Sequence, residues 1–356
     1  MGAGRRKLNV LLVNLVVLAA GLLIVELVFG QWLRPHDRIA RLNLLVNRTL
    51  SFDVTPLYRD GDGKAIYKRD QFGFRGFYPH PSRIDILTVG GSTTDQRYIT
   101  EGKTWQDVLA REFRKTGKNV SVVNAGVDGQ TTYGHIKNFD WWLSSVPDLR
   151  VKYFLFYIGL NDFYPAEGSP YDSLEPGQGF RSLLSENSAL YHLLRTIEGS
   201  YKAWRYGIGH LRMDSSMLKW TTVARQSDHP QIMQEHLAAY QQRLEALLAR
   251  SRRFGGEPIC VTQSVRYFKV VDGTVVGRAD TWRYRDYEIN GADFYHMLGI
   301  LNRRTLDVCR EAGAQVVDVA GGIEWEDVDF YDPAHNTPRG AEKLGRYLYA
   351  NLHHLF

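Results

Sequence analysis

Cysteine is nearly absent. Cys260 and Cys309 are the only two in 356 residues, which excludes a disulfide-built scaffold and a cysteine-rich metal site. The 11 histidines fall in no ligand-spaced cluster, so no metal is expected. Neither sign of charge dominates. Lys plus Arg exceed Asp plus Glu by 44 − 39 = 5, dispersed with no basic stripe, so nucleic acid is not an expected partner. No segment recurs at a period of roughly 20–50 residues, which excludes a solenoid or propeller. Low-complexity tracts are missing too. The balance of 44% hydrophobic and 23% charged residues is that of a folded chain.

One long hydrophobic run is present. Residues 10–29 are almost wholly apolar, broken only by Asn14 and Glu26, and they follow Arg5, Arg6 and Lys7. As a helix this run spans roughly 30 Å, the hydrocarbon thickness of a bilayer. Glu26 lies near one end, where a carboxylate reaches the headgroups, and Trp32 follows at interfacial depth. Cleavage as a signal peptide at Ala19-Ala20-Gly21 would leave residues 22–29 apolar and exposed. A core helix would show a polar face, which this run lacks. The expectation is an uncleaved signal anchor and a single-pass membrane protein. Arg34, Arg38, Arg41 and Arg48 follow the span, so the positive charges do not orient it. The very short tail does, by staying inside and sending the large domain into the periplasm.

Three regions are expected: an anchor at 1–30, a juxtamembrane segment at 31–83 with a helix at 38–46, and a domain at 84–356. Within the last, strands at 84–89, 120–123, 153–158, 258–262 and 315–319 alternate with helices at 105–115, 133–143, 231–252, 293–312 and 339–352. The pattern is α/β: a central parallel five-stranded sheet with helices on both faces, in three layers. Residues 153–158 are apolar throughout, as befits a strand buried on both faces. Insertions at about 163–230 and 264–290 interrupt the alternation. The first is rich in aromatics. The second holds a hairpin turning at Asp272-Gly273. Both leave the carboxyl side of the sheet, where they could wall a substrate groove.

Ligands on such sheets bind at the carboxyl ends of the strands. After the first strand comes Gly90-Gly91-Ser92-Thr93-Thr94-Asp95, in which Ser92 is a candidate nucleophile whose own N–H can bind an oxyanion. After the second comes Asn124-Ala125-Gly126-Val127-Asp128-Gly129. After the third comes Gly159-Leu160-Asn161-Asp162, where the Asn161 amide can donate to a developing negative charge. Near the carboxyl terminus is Asp332-Pro333-Ala334-His335. An aspartate three residues before a histidine can orient the imidazole and stabilise its charged form, which makes His335 the candidate general base. Together these supply nucleophile, base, orienter and oxyanion donors for acyl transfer.

This set resembles the SGNH superfamily, the hydrolases related to the GDSL lipases and esterases, over residues 84–356 less the two insertions. Ser92 matches the first block, Gly129 the second, Asn161 the third and the Asp332/His335 pair the fifth. The first block reads Gly-Gly-Ser-Thr in place of Gly-Asp-Ser. Membrane-anchored bacterial relatives look similar here and carry a Gly-Phe-Arg-Gly stretch, seen as Gly73-Phe74-Arg75-Gly76. The resemblance implies the flavodoxin-like SGNH hydrolase fold and a catalytic set of Ser92, Asp332 and His335. It implies an oxyanion hole from the N–H groups of Ser92 and Gly129 and the Asn161 side chain. No metal or organic cofactor is implied. The implied activity is that of a membrane-anchored serine esterase or O-acyltransferase acting on an O-acylated, in particular O-acetylated, cell-envelope or exported glycan. Two alternatives stand beside it. One is a non-catalytic glycan-binding or assembly subunit. The other is an acyltransferase fed by a membrane protein partner. The α/β-hydrolase elbow does not fit, because Thr94 stands where its second glycine belongs.

Of the remaining residues, Asp95 and Asp162 read as helix caps. Arg75 reads as a structural donor to carbonyls, and His135 as a core histidine. Cys260 and Cys309 read as two buried free thiols, with a disulfide as the alternative outside the cytoplasm.

Overall fold

The computed structural model describes residues 2–33, 38–164, 169–174, 179–206, 212–214 and 217–356. Arg34 and parts of the first insertion (165–168, 175–178, 207–211 and 215–216) lie outside the described residues. The chain divides into two compact units, Met1–Asn43 with Glu175–Gly209, and Leu44–Leu174 with His210–Phe356.

The larger unit is built on a five-stranded sheet, parallel throughout, as expected. In space its strands run Gln315–Val317, Glu257–Val261, Val151–Tyr157, Ile84–Gly90, Val122–Asn124. The central strand Val151–Tyr157 pairs Leu155 with Thr88 on one side and Ile259 on the other. Its side chains alternate between two buried faces, which is why it carries no polar stripe. Leu155 and Tyr157 join a core with Trp105, Leu109 and Phe113 of helix Trp105–Lys115 and Leu344, Leu348 and Leu352 of helix Pro338–Leu352. On the opposite face Phe154 meets Phe139 of helix Thr132–Trp141 and Phe254 of helix His229–Phe254. The helix Gly291–Glu311 packs beside the latter.

The spatial order places Ile84–Gly90 between the second and third strands of the chain. Connections leave it in opposite directions there, so a crevice opens at its carboxyl end. Ser92 follows that strand directly, with the loops after Val122–Asn124 and Val151–Tyr157 on either side of it.

Residues 44–83 belong to this same unit. Arg48–Asp53 and Lys64–Arg69 form an antiparallel ribbon. Burial alternates along the second strand, so that Ala65, Tyr67 and Arg69 all point inward. The expected helix at 38–46 is reduced to one 3₁₀ turn, Ile39–Arg41. The apolar residues there instead seat singly, Ile39 and Leu42 being buried. In the second insertion Phe268–Val271 and Thr274–Arg278 form the expected hairpin. Asp272 and Gly273 both have positive φ (49° and 76°), the requirement of the tight turn that suits strand twist.

The free-thiol expectation is overturned, because Cys260 and Cys309 form a disulfide. Cys260 is on Glu257–Val261 and Cys309 near the end of Gly291–Glu311. Packing brings their Cα atoms to 6.5 Å across 49 residues of sequence, within disulfide reach.

The smaller unit contains the helix Gly2–Phe29, of which Asn9–Phe29 is long and apolar enough to cross a membrane. A signal sequence would pass the same test.

Candidate active site

The first strand ends in two glycines because no side chain fits there. A Cβ on Gly90 would lie 2.4 Å from the Tyr157 carbonyl oxygen, and one on Gly91 would lie 2.2 Å from Asn161 Nδ2. The missing side chain at 91 is what lets the Asn161 amide close over the start of the short helix Ser92–Asp95. A hydroxyl at 92 therefore sits at a helix N-terminus, half-buried, at the mouth of the crevice.

Ser92 Oγ lies 2.7 Å from His335 Nε2. The other ring nitrogen, Nδ1, lies 2.8 Å and 2.9 Å from the two Asp332 oxygens. Asp332 Oδ1 also accepts from the backbone N–H groups of Ala334 and His335, both at 2.8 Å. That turn explains the three-residue spacing: one carboxylate both caps the loop and fixes the tautomer that leaves Nε2 facing the serine. The imidazole is stacked on Tyr331, 5.6 Å between centroids with 9° between planes.

His335 belongs to the segment after Gln315–Val317, the far edge of the sheet, yet it reaches the serine near the other edge. Cross-links hold that segment. Tyr331 N donates to His335 O (3.0 Å), Thr337 N to Asp329 O (2.9 Å) and Arg266 N to Pro333 O (2.6 Å). Lys343 Nζ pairs with the buried Asp329 at 2.7 Å.

Asn161 Nδ2 donates to the Gln130 carbonyl at 2.8 Å, which ties the third-strand loop to the second. Asn161 lines a small cleft with Gly91 and Gln130. Gly129 has φ +75°, a left-handed conformation that a side chain would strain. The Tyr171 ring occupies the space a Cβ there would need, with its nearest carbon at 2.5 Å. Tyr171 is itself positioned by Asp172, a buried carboxylate that accepts from Thr131 N (2.8 Å), Thr131 Oγ1 (2.9 Å) and Gly134 N (3.1 Å).

Asp95 is not a helix cap. It forms a buried ion pair with Arg69 and accepts from Tyr67 Oη at 2.9 Å. Burial raises the Tyr67 phenol above its ordinary range, so it stays protonated and donates. Arg75 bonds the carbonyls of Asp95 (2.7 Å) and Gln96 (2.8 Å), the structural role expected of it. The two arginines thus fasten the turn that follows Ser92. Asp162 accepts from Thr132 N (3.1 Å) and Oγ1 (2.6 Å) and pairs with Arg243 at 3.3 Å. Burial pushes its carboxyl upward, opposed by these partners. His135 lines a small cleft with Gly91, Gln130 and Asn161. Burial lowers its imidazole to about 4, so it is neutral at pH 7. Among the described residues its Nδ1 has no hydrogen-bond partner.

Tyr171, Asp172 and Arg69 escaped the sequence reading because each acts across a gap in the chain that no motif spans, and Gln130 and Tyr331, which adjoin the motifs, carry no local mark of their roles. The pattern Ser169-Pro170-Tyr171-Asp172, with a capping serine three residues before an aspartate, was the one local signal available.

The profile of the GDSL-like lipase/acylhydrolase family matches residues 88–343, most of the chain. The chain belongs to this family. No curated protein matches the sequence. Among solved structures, an esterase from Pseudoalteromonas sp. is 10% identical, with 76% of this chain and 97% of that one covered and a TM-score of 0.41. An acetylxylan esterase from Geobacillus stearothermophilus is 11% identical, with 76% and 94% covered and a TM-score of 0.42.

Proposed function

We propose that this GDSL-like acylhydrolase is a membrane-anchored serine esterase that removes or transfers O-acetyl groups on a cell-envelope or exported glycan. The observation that carries the reading is the hydrogen-bond chain Ser92–His335–Asp332. Ser92 Oγ attacks the ester carbonyl while His335 Nε2 takes its proton. The N–H groups of Ser92 and Gly129 and the Asn161 amide hold the resulting oxyanion. The intermediate collapses, the C–O bond to the sugar breaks, and His335 returns the proton to the departing hydroxyl. Water or an acceptor hydroxyl then attacks the acyl-enzyme by the same route in reverse. Asp332 keeps the imidazole oriented and stabilises its cation. The chemistry needs no cofactor.

The apolar segment Asn9–Phe29 supports anchoring. The Cys260–Cys309 disulfide supports an oxidising compartment outside the cytoplasm. The test is a fluorophosphonate probe applied to membranes washed with alkaline carbonate. The expected result is a full-length labelled band in the pellet, modified at Ser92. A labelled band in the supernatant removes the anchor; an unlabelled protein removes the nucleophile.

The sugar specificity rests on Tyr171, which is 58% exposed although its ring touches Gly129. An open aromatic face beside the oxyanion donors suits stacking on a sugar ring. Tyr171→Ala is expected to raise KM for an acetylated oligosaccharide roughly tenfold, with p-nitrophenyl acetate turnover changed less than about twofold. Equal losses on both substrates would make Tyr171 a support of Gly129 instead.

A further inference from the structure

The first insertion supplies two helices, Phe180–Asn187 and Ala189–Tyr206, to the compact unit that holds the apolar helix Gly2–Phe29. They are fastened to it by a clasp. Glu26 accepts from Ser188 Oγ (2.5 Å), Ala189 N and Leu190 N (both 3.1 Å), and Trp32 Nε1 (2.7 Å). Gln31 N donates to Asn187 O at 2.8 Å. The carboxylate near the end of the apolar helix is therefore the N-terminal partner of Ala189–Tyr206, where both the free N–H groups and the dipole favour a negative charge. A charge that would be costly at the edge of an apolar run gains partners from the second helix.

Ala189–Tyr206 is amphipathic with its apolar side turned outward. Leu193, Leu194 and Ile197 are 56%, 65% and 57% exposed, and Tyr201 continues the line one turn on. At roughly 100° per residue these four fall within about a third of the helix circumference. Arg195, also exposed, lies about 100° beyond Leu194 and away from the stripe, and the exposed Glu198 borders it. Phe180 and Leu183 extend the exposed apolar surface onto the preceding helix. A water-facing fold buries such a stripe.

We propose that Ala189–Tyr206 lies in the membrane interface beside the anchor, with its Leu193, Leu194 and Ile197 face among lipid acyl chains. Lipid is the occupant because the stripe is clasped to a helix whose own apolar window is wholly unburied. One apolar solvent then covers both surfaces, as for interfacial helices generally. This gives the helical part of the first insertion a role apart from the substrate side, where Tyr171 of the same insertion lies. It rests on the anchor reading, so the test separates the two.

Both native cysteines are consumed in a disulfide, so single introduced cysteines can be labelled cleanly. Leu18→Cys, Leu194→Cys and Arg195→Cys, each carrying bimane, are placed as full chains in nanodiscs of phosphatidylcholine with or without brominated acyl chains. Emission from positions 18 and 194 is expected to fall by about half in brominated lipid, and that from 195 to hold. Quenching at 18 without 194 overturns the proposal and leaves the anchor; quenching at neither overturns both. Quenching at 194 without 18 removes the span and, with it, the placement of this helix beside an anchor. Equal quenching at 194 and 195 overturns the assigned face. Oxidative dimerisation of unlabelled Leu194→Cys, with no lipid quenching, assigns the stripe to a second copy and overturns the proposal as well.

Discussion

Ser92→Ala is expected to lower kcat/KM for p-nitrophenyl acetate by roughly 10⁴-fold or more, because on the proposed mechanism the variant loses the covalent route. Fluorophosphonate labelling should vanish with it. The hydroxyl is half-buried and hydrogen-bonded to His335. Its removal should therefore change stability by no more than about 0.5 kcal/mol, and melting curves of variant and native chain should overlay. His335→Ala should cost a similar factor, and the double variant little more than either single one, since the pair acts as a unit. Activity within tenfold of native in Ser92→Ala would remove acyl-enzyme chemistry at this residue. Additive losses in the double variant would mean that Ser92 and His335 work separately.

The second large effect is on stability. Arg69 is buried, as is the Asp95 carboxylate it faces. Its guanidinium is fully engaged: Nε donates to Tyr67 Oη and Nη1 to the Gly73 carbonyl, both at 2.7 Å, and Nη2 to Asp95 and the Gly126 carbonyl. Arg69→Met fills much of the same volume but strands a carboxylate and two carbonyls out of water. Arg97, at 3.7 Å from Asp95 and part-exposed, offsets this only weakly. Breaking a buried pair from one side costs about 3–5 kcal/mol. For a unit of this size that lowers Tm by about 5–10 °C. Arg69→Met with Asp95→Leu should recover part of the loss, because no lone charge is left behind. A single variant with unchanged Tm would show that water reaches the pair and that the network carries no load.

The same network shows where a linear reading fails. Strand and helix periodicity announced the layers, and buried runs such as residues 153–158 announced the middle of the sheet, because both are local consequences of where apolar side chains fall. Asp95 looked like a helix cap because it ends a short helix four residues after the strand. The arginine that claims it arrives from a ribbon 26 residues earlier. Residues 31–83 read as a juxtamembrane segment because nothing local shows that Arg69 and Arg75 reach the turn after Ser92. Cys260 and Cys309 looked independent because a strand and a helix 49 residues apart carry no mark of their packing.

By its sequence alone this protein was determined to be a parallel α/β chain with an apolar N-terminal helix and polar residues at successive strand ends. Residue type and local spacing are enough to set those features. Only the tertiary structure decided that His335, 243 residues from Ser92, returns across the sheet to meet it, and that Tyr171 and Gln130 close around Gly129 and Asn161. Such meetings depend on the spatial order of the strands and on hydrogen bonds made after the chain has crossed over, and neither is written in any short stretch of residues.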